Sequence, residues 1–165
     1  NARGEYASEL RSWVGAKFLW EHYPSNWTKS WFSMGYNLEA VYTNHPDFGN
    51  PYATILTSPR FAPTPHSRML YMPEFYAHRY AAAGVMPTFR LRPNFFLRAG
   101  IYAMLRDPLV ADEYMHYMSD LSFVYHTRIG PVSLSLTKYN FDTKNNFYVM
   151  ANFGYPIFAQ RGLFY

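Results

Sequence analysis

Arg90, Arg92 and Arg98 fall on or near one parity of two consecutive extended stretches, with Arg106 further along the second, while Asn37 and Glu39 take the matching parity of an earlier stretch. Such a set on one face of a sheet can act in two ways. As a basic lining it would attract an anion or hold a plugging segment. As internal ion pairs its members would neutralise one another and fill a lumen, which requires Glu39 within reach of one of these four arginines, such as Arg98 or Arg90. Acid–base chemistry has poorer material. His78 and His126 stand near strand ends, but no Ser-His-carboxylate grouping can be assembled from adjacent positions. The six histidines show no His-x-x-x-His or His-Glu-x-x-His spacing, and the absence of cysteine removes thiolate ligands and disulfides alike. No catalytic, metal or cofactor residue is therefore assigned.

The elements that would position these residues are strands. From Phe32 to Tyr42, Phe32, Met34, Tyr36, Leu38, Ala40 and Tyr42 share one face, and Ser33, Gly35, Asn37 and Glu39 the other. A dyad repeat of this length suits a transmembrane β-strand, in which ~9–11 tilted residues cross the hydrocarbon while the opposite face meets a wet interior. The same template gives seven strands at about 8–20, 30–43, 78–92, 94–106, 117–127, 131–140 and 146–158. In the third, Ala81, Ala83, Val85, Phe89 and Leu91 turn outward and His78, Tyr80, Gly84, Arg90 and Arg92 inward. In the sixth, Ser133, Ser135 and Thr137 take the lumen side. Pro87 cannot donate to a ladder and implies a bulge or an unpaired stretch.

Composition agrees with a membrane barrel. Aromatic residues make up 21% of the chain and charged residues 16%, and the mean hydropathy of -0.28 is what strands with one polar face produce. Trp13, Trp20, Trp27, Trp31, Tyr23, Tyr42, Tyr155 and Phe158 fall near expected strand ends, as an aromatic girdle would. The net charge of +4 comes without a Lys/Arg cluster, so nucleic acid is not an expected partner. Connections alternate between tight turns, at Arg92-Pro93-Asn94 and Arg128-Ile129-Gly130, and long loops at 44–77 and 107–116. This is the pattern of short periplasmic and long extracellular ends. Three prolines between Pro59 and Pro65 make the first long loop a rigid, packed connection, neither regular strand nor helix, folded over or into the barrel mouth. An odd strand count conflicts with the even numbers of bacterial single-chain barrels, so the expectation is the C-terminal half, about seven to eight strands, of a larger barrel; the competing reading is a complete eight-stranded one.

The stretch from Ser122 to Leu136, containing Arg128-Ile129-Gly130-Pro131-Val132-Ser133-Leu134, resembles the end of surface-antigen-type barrels, as does Asn152-Phe153-Gly154-Tyr155-Pro156-Ile157-Phe158. Together with Ser58-Pro59-Arg60-Phe61-Ala62-Pro63-Thr64-Pro65 and the segment from Leu70 to Gly84, the match looks closest to the C-terminal barrel of patatin-like phospholipases from Bacteroidota and covers most of residues 55–158. That resemblance implies a bacterial outer-membrane barrel that anchors or exports an attached lipid-ester hydrolase domain. The family's catalytic Ser-Asp dyad cannot be carried onto this chain, which has neither Gly-x-Ser-x-Gly nor Asp-Gly. Asn152, Gly154, Ile157 and Phe158 approximate the terminal-strand signal read by the barrel assembly machinery. Outer-membrane lipid and lipopolysaccharide are the other expected partners, with a homodimer or a larger outer-membrane complex left open. Two alternatives remain: a stand-alone outer-membrane enzyme or surface-binding protein working through its long loops, and a soluble barrel with an apolar ligand inside. The soluble form would bury Phe32, Met34, Tyr36 and Leu38 and leave Asn37 and Glu39 in water.

Overall fold

An extended chain sends successive side chains to opposite faces, and the alternation beginning at Phe32 yields a 12-residue strand that runs to Thr43. The computed structural model describes residues 13–22, 30–45, 50–107, 114–142, 144 and 146–154. Within them the order is β1 (Gly15–His22), β2 (Phe32–Thr43), α1 (Pro51–Thr57), α2 (Pro65–Met69), a 3-10 turn (Pro73–Phe75), β3 (Arg79–Arg92), β4 (Phe95–Arg106), β5 (Met115–Thr127), β6 (Gly130–Tyr139) and β7 (Tyr148–Phe153). Each strand pairs antiparallel with its sequence neighbours, giving one seven-stranded sheet in the order β1 to β7. Among the described residues the sheet is open, with β1 and β7 as its edges.

All seven expected strands are present. The first was expected over 8–20; its residues 8–12 lie outside the described ones, and β1 continues to His22. The last was drawn to 158 but β7 ends at Phe153, and Tyr155, Ile157 and Phe158 lie outside the described residues, as do Tyr23 and Trp27. Pro87 sits in register with Met34, while the β3–β4 ladder omits Met86 and Pro87. The shift in register comes later, between Arg90 and Arg92, so that Arg92 stands opposite Phe95 and leaves the inward parity expected for it.

Exposure along the strands reverses that of a sheet packed for water, since the uncovered face is apolar, while the covered face mixes polar side chains with an apolar cluster. Tyr36, Leu38, Tyr42, Val85, Ile101, Leu105, Leu134 and Val149 are exposed, whereas Asn37, Glu39, Asp120, Ser122, Ser135 and Thr137 are buried on the other face. The exposed parity carries charge only at its two ends, with Arg79 and Lys138 toward the long loops and Arg92 beside the tight turn.

The long 44–77 connection departs from expectation, because it contains two helices. Its prolines start helices rather than prevent them. Pro51 and Pro65 occupy first-turn positions, where no intrahelical N–H is lost, and the preceding Asn50 and Thr64 cap the exposed amides. Asn50 Oδ1 accepts from the Tyr52 N–H at 3.0 Å, and Thr64 forms a capping box with Ser67. Backbone bonds from Phe61 N–H to the Phe75 carbonyl (3.0 Å) and from Ala77 N–H to the Pro59 carbonyl (3.1 Å) tie the two arms of this insert together. As a packed connection it agrees with expectation: Phe61 and Phe75, each 1% exposed, pack with Tyr80, Tyr102, Met104, Met118 and Tyr139 from the inward face of the sheet.

Candidate functional site

The inward face divides into two halves. Toward the long loops the insert fills it with rings. Phe61 lies 6.2 Å from Tyr80 and 6.4 Å from Tyr102, and Phe75 lies 5.5 Å from Tyr139, measured between ring centroids. Tyr102 can lie flat because the sequence places glycine beneath it. A Cβ at Gly84 would come within 2.2 Å of the Tyr102 ring, and one at Gly100 within 2.7 Å. His66, at the start of α2, closes the layer. Its Nδ1 is 2.7 Å from Tyr139 Oη, and its ring lies 4.8 Å from that of Tyr148. Burial holds the His66 imidazole below its ordinary value, while the Asp120 carboxylate pulls the other way.

Deeper along the sheet the side chains are small and polar. Asp120 accepts from Ser122 Oγ at 2.7 Å and from Thr137 Oγ1 at 3.0 Å, Ser122 and Ser135 hydroxyls meet at 2.9 Å, and Arg98 Nη2 lies 4.0 Å from Asp120 Oδ2. A buried carboxylate with two hydroxyl donors and a nearby guanidinium is compensated rather than reactive. A second cluster lies near the β1 edge. Glu39 is 2.8 Å from Lys17 Nζ and accepts from Tyr80 Oη at 2.6 Å, and Asn37 Nδ2 donates to Glu21 Oε1 at 3.1 Å.

The expected pairing of Glu39 with Arg90 or Arg98 is corrected by the register. Glu39 is level with Ala82, which is level with Met104, so Arg98 lies six positions away along β4, about 20 Å at ~3.3 Å per residue, and Arg90 is farther still along β3. Parity alone put them on one face; the ladder separates them along it. Arg98 finds Asp120 instead, at the expected inward parity, and Arg90 is half-buried near the Trp31 turn, where its N–H donates to the Trp31 carbonyl. Asn152 lies on the inward side of β7 opposite Ser133, and Gly154 ends that strand at φ +86 with its N–H on the Pro131 carbonyl. A Cβ on Gly130 would come within 3.1 Å of Gly154 Cα, so these two glycines let the β5–β6 turn and the end of β7 close on each other.

Lys17, Glu21, Asp120, Ser122, His66 and Tyr139 were not singled out from sequence. Alternation carried a signal for Asp120 and Ser122, which share the inward parity of β5, but His66 sits in the proline-rich segment where no period could place it.

Among the described residues one serine approaches a histidine, without the arrangement of a nucleophile and its base. Ser58 Oγ lies 3.4 Å from His78 Nδ1, but it donates to the Thr54 carbonyl at 2.6 Å, which holds its proton away from the imidazole. Among the described residues no group of three or more His, Asp or Glu is placed to hold a metal ion. No helix there is long and apolar enough to cross a membrane, a fact that does not bear on strands. In comparisons with known proteins, no family model, no curated protein and no solved structure matches this chain.

Proposed function

We propose that this chain forms part of the wall of a bacterial outer-membrane β-barrel that anchors or exports an attached patatin-like hydrolase domain. The observation that carries the membrane reading is the inverted burial of the seven strands, with aromatic and aliphatic side chains outward and a compensated polar network inward. A soluble ligand-carrying barrel would have the opposite polarity. The attached hydrolase rests on the resemblance over residues 55–158.

One further observation favours a ring larger than eight strands, and a second requires an even total. An eight-stranded barrel has room inside for side chains or one small ligand, whereas this inward face receives an insert with two helices. β1 and β7 also run in the same direction, so a ring closed by antiparallel pairing needs an odd number of strands between them.

The sequence contains no cysteine, which makes single-cysteine labelling clean. Spin labels at Leu38, Ile101 and Leu134 in lipid-reconstituted protein should be accessible to apolar oxygen and shielded from a polar nickel chelate. Labels at Asn37, Ser135 and Thr137 should be shielded from oxygen. Loss of this period-two contrast would refute the membrane reading. The anchoring reading is tested by the intact mass of the polypeptide extracted from its native membrane, which should greatly exceed 19.4 kDa.

A further inference from the structure

At the long-loop rim, beside the apolar outer band, a recess of about 400 Å³ is lined by Arg79, Arg106, Tyr114, Leu105 and Asp107, among others. Arg79 is exposed on the outward parity and its guanidinium lies over the ring of Tyr42, 4.9 Å from the centroid, which holds the cation at the boundary instead of letting it sweep through solvent. Arg106, opposite Tyr80 on the inward parity, is buried with Nη1 donating to the Tyr76 carbonyl at 3.3 Å, so the cation offered on the outward side is Arg79. Asp107, whose N–H donates to the Arg79 carbonyl at 2.9 Å, is the one carboxylate among the described lining residues. Three strands away on the same outward parity and at the same end, Lys138 Nζ lies 5.2 Å from the centroid of exposed Phe147. These are cations pinned over aromatic rings at the upper edge of a face whose middle carries no charge.

We infer that Arg79, beside this recess, binds the phosphate of an anionic membrane-lipid headgroup, with Lys138 as a second contact along the same rim. The inference rests on the membrane reading above. Its chemistry is that of guanidinium and ammonium groups meeting phosphate at the level where apolar surface gives way to water, with Leu105 and Tyr114 beside the charges to receive the apolar part of the lipid. The occupant is a lipid because Arg79 and Lys138 both face outward, where a free phosphate would have no apolar surface to follow.

The test uses the full chain and flotation with phosphatidylcholine vesicles, with or without phosphatidylglycerol. Wild type should float with both and bind the anionic vesicles more tightly, by about fivefold for each rim cation at low salt. The Arg79→Gln/Lys138→Gln double variant should keep its binding to neutral vesicles and lose the anionic preference. Retention of that preference by the double variant, or its loss in Arg92→Gln/Arg128→Gln at the opposite end instead, would overturn the assignment. So would equal wild-type binding to both vesicles, or abolition of the preference by millimolar inorganic phosphate, which would make free phosphate the ligand. Failure of wild type to float with either vesicle would overturn the membrane reading itself, a result distinct from all of these.

Discussion

The two halves of the inward face are sealed by different means. Near the long loops the seal is packing: Phe61 and Phe75 come from outside the sheet and meet Tyr80, Tyr102 and Tyr139. At mid-strand, below that layer, the sheet seals itself through Asp120, Ser122, Ser135, Thr137 and Arg98, all of them residues of β4, β5 and β6. The first seal depends on a separate segment staying in place, and the second cannot leave without breaking strands. The mouth half is thus the removable part, and its energetics are those of apolar area and fit, while the deeper half obeys the rule that a buried charge must keep its partners.

The contrast can be broken most forcefully at Phe75. Phe75→Ala should cost about 3–5 kcal/mol in docking of the insert, through lost transfer energy and a cavity among Phe61, Tyr139 and His116, and should appear as protease cleavage within 50–77 while the strands remain protected from hydrogen exchange. Strand amides exchanging together with the insert would show that the halves are one cooperative unit. Gly84→Ala should act on the same half from the wall side. The new methyl collides with the Tyr102 ring, and displacement of that ring from Phe61 should cost about 1–3 kcal/mol by denaturant titration, a loss that Tyr102→Leu partly relieves. In the deeper half, Asp120→Asn keeps the shape but weakens two hydroxyl bonds and removes the anion facing Arg98. About 1–2 kcal/mol should be lost from global stability, with no gain in cleavage of the insert.

The smallest expected effect is one of pH. His66 has its pKa lowered by burial from the ordinary 6.5, so the undocked histidine takes up a proton more readily than the docked one. Docking is at full strength above the ordinary value and weakens as pH falls through it. Protease sensitivity of the insert should rise below about pH 6.5 in wild type and should be flat over that range in His66→Asn.

How much of this was legible in the sequence follows from what a period can encode. Alternation assigns a side chain to a face, and it correctly put Asn37, Glu39, Arg98 and Gly84 inward and Leu38 and Ile101 outward. It says nothing of height along the strand. That is fixed by the stagger of each hairpin, which is why the carboxylate of Glu39 went to Lys17 and Tyr80 rather than to an arginine about 20 Å away. Arg92 was misplaced because one extra residue at Leu91 shifts the register of the ladder. The helices of the insert were hidden by their own prolines, which mark a helix start as readily as a break. The caps Asn50 and Thr64 one residue earlier were the signal that separates the two. The His66–Tyr139 contact joins positions 73 residues apart and left no local trace at all.

The insert leaves the sheet after Thr43 and returns at His78, and the Thr43 N–H is bonded to the His78 carbonyl at 2.9 Å. Its two ends are therefore stitched together by the β2–β3 hairpin itself, whose ladder continues without a gap from Tyr42 opposite Arg79. The entropy of closing this excursion is met when the hairpin forms, and lengthening or shortening it costs little more. Assembly order is decoupled as a result. The hairpins can zip up by contacts between sequence neighbours alone, and the insert can dock as a late, separate step. Natural variation in this protein is accordingly free to rewrite the insert, in length as well as in residue type, without touching a single rung of the wall.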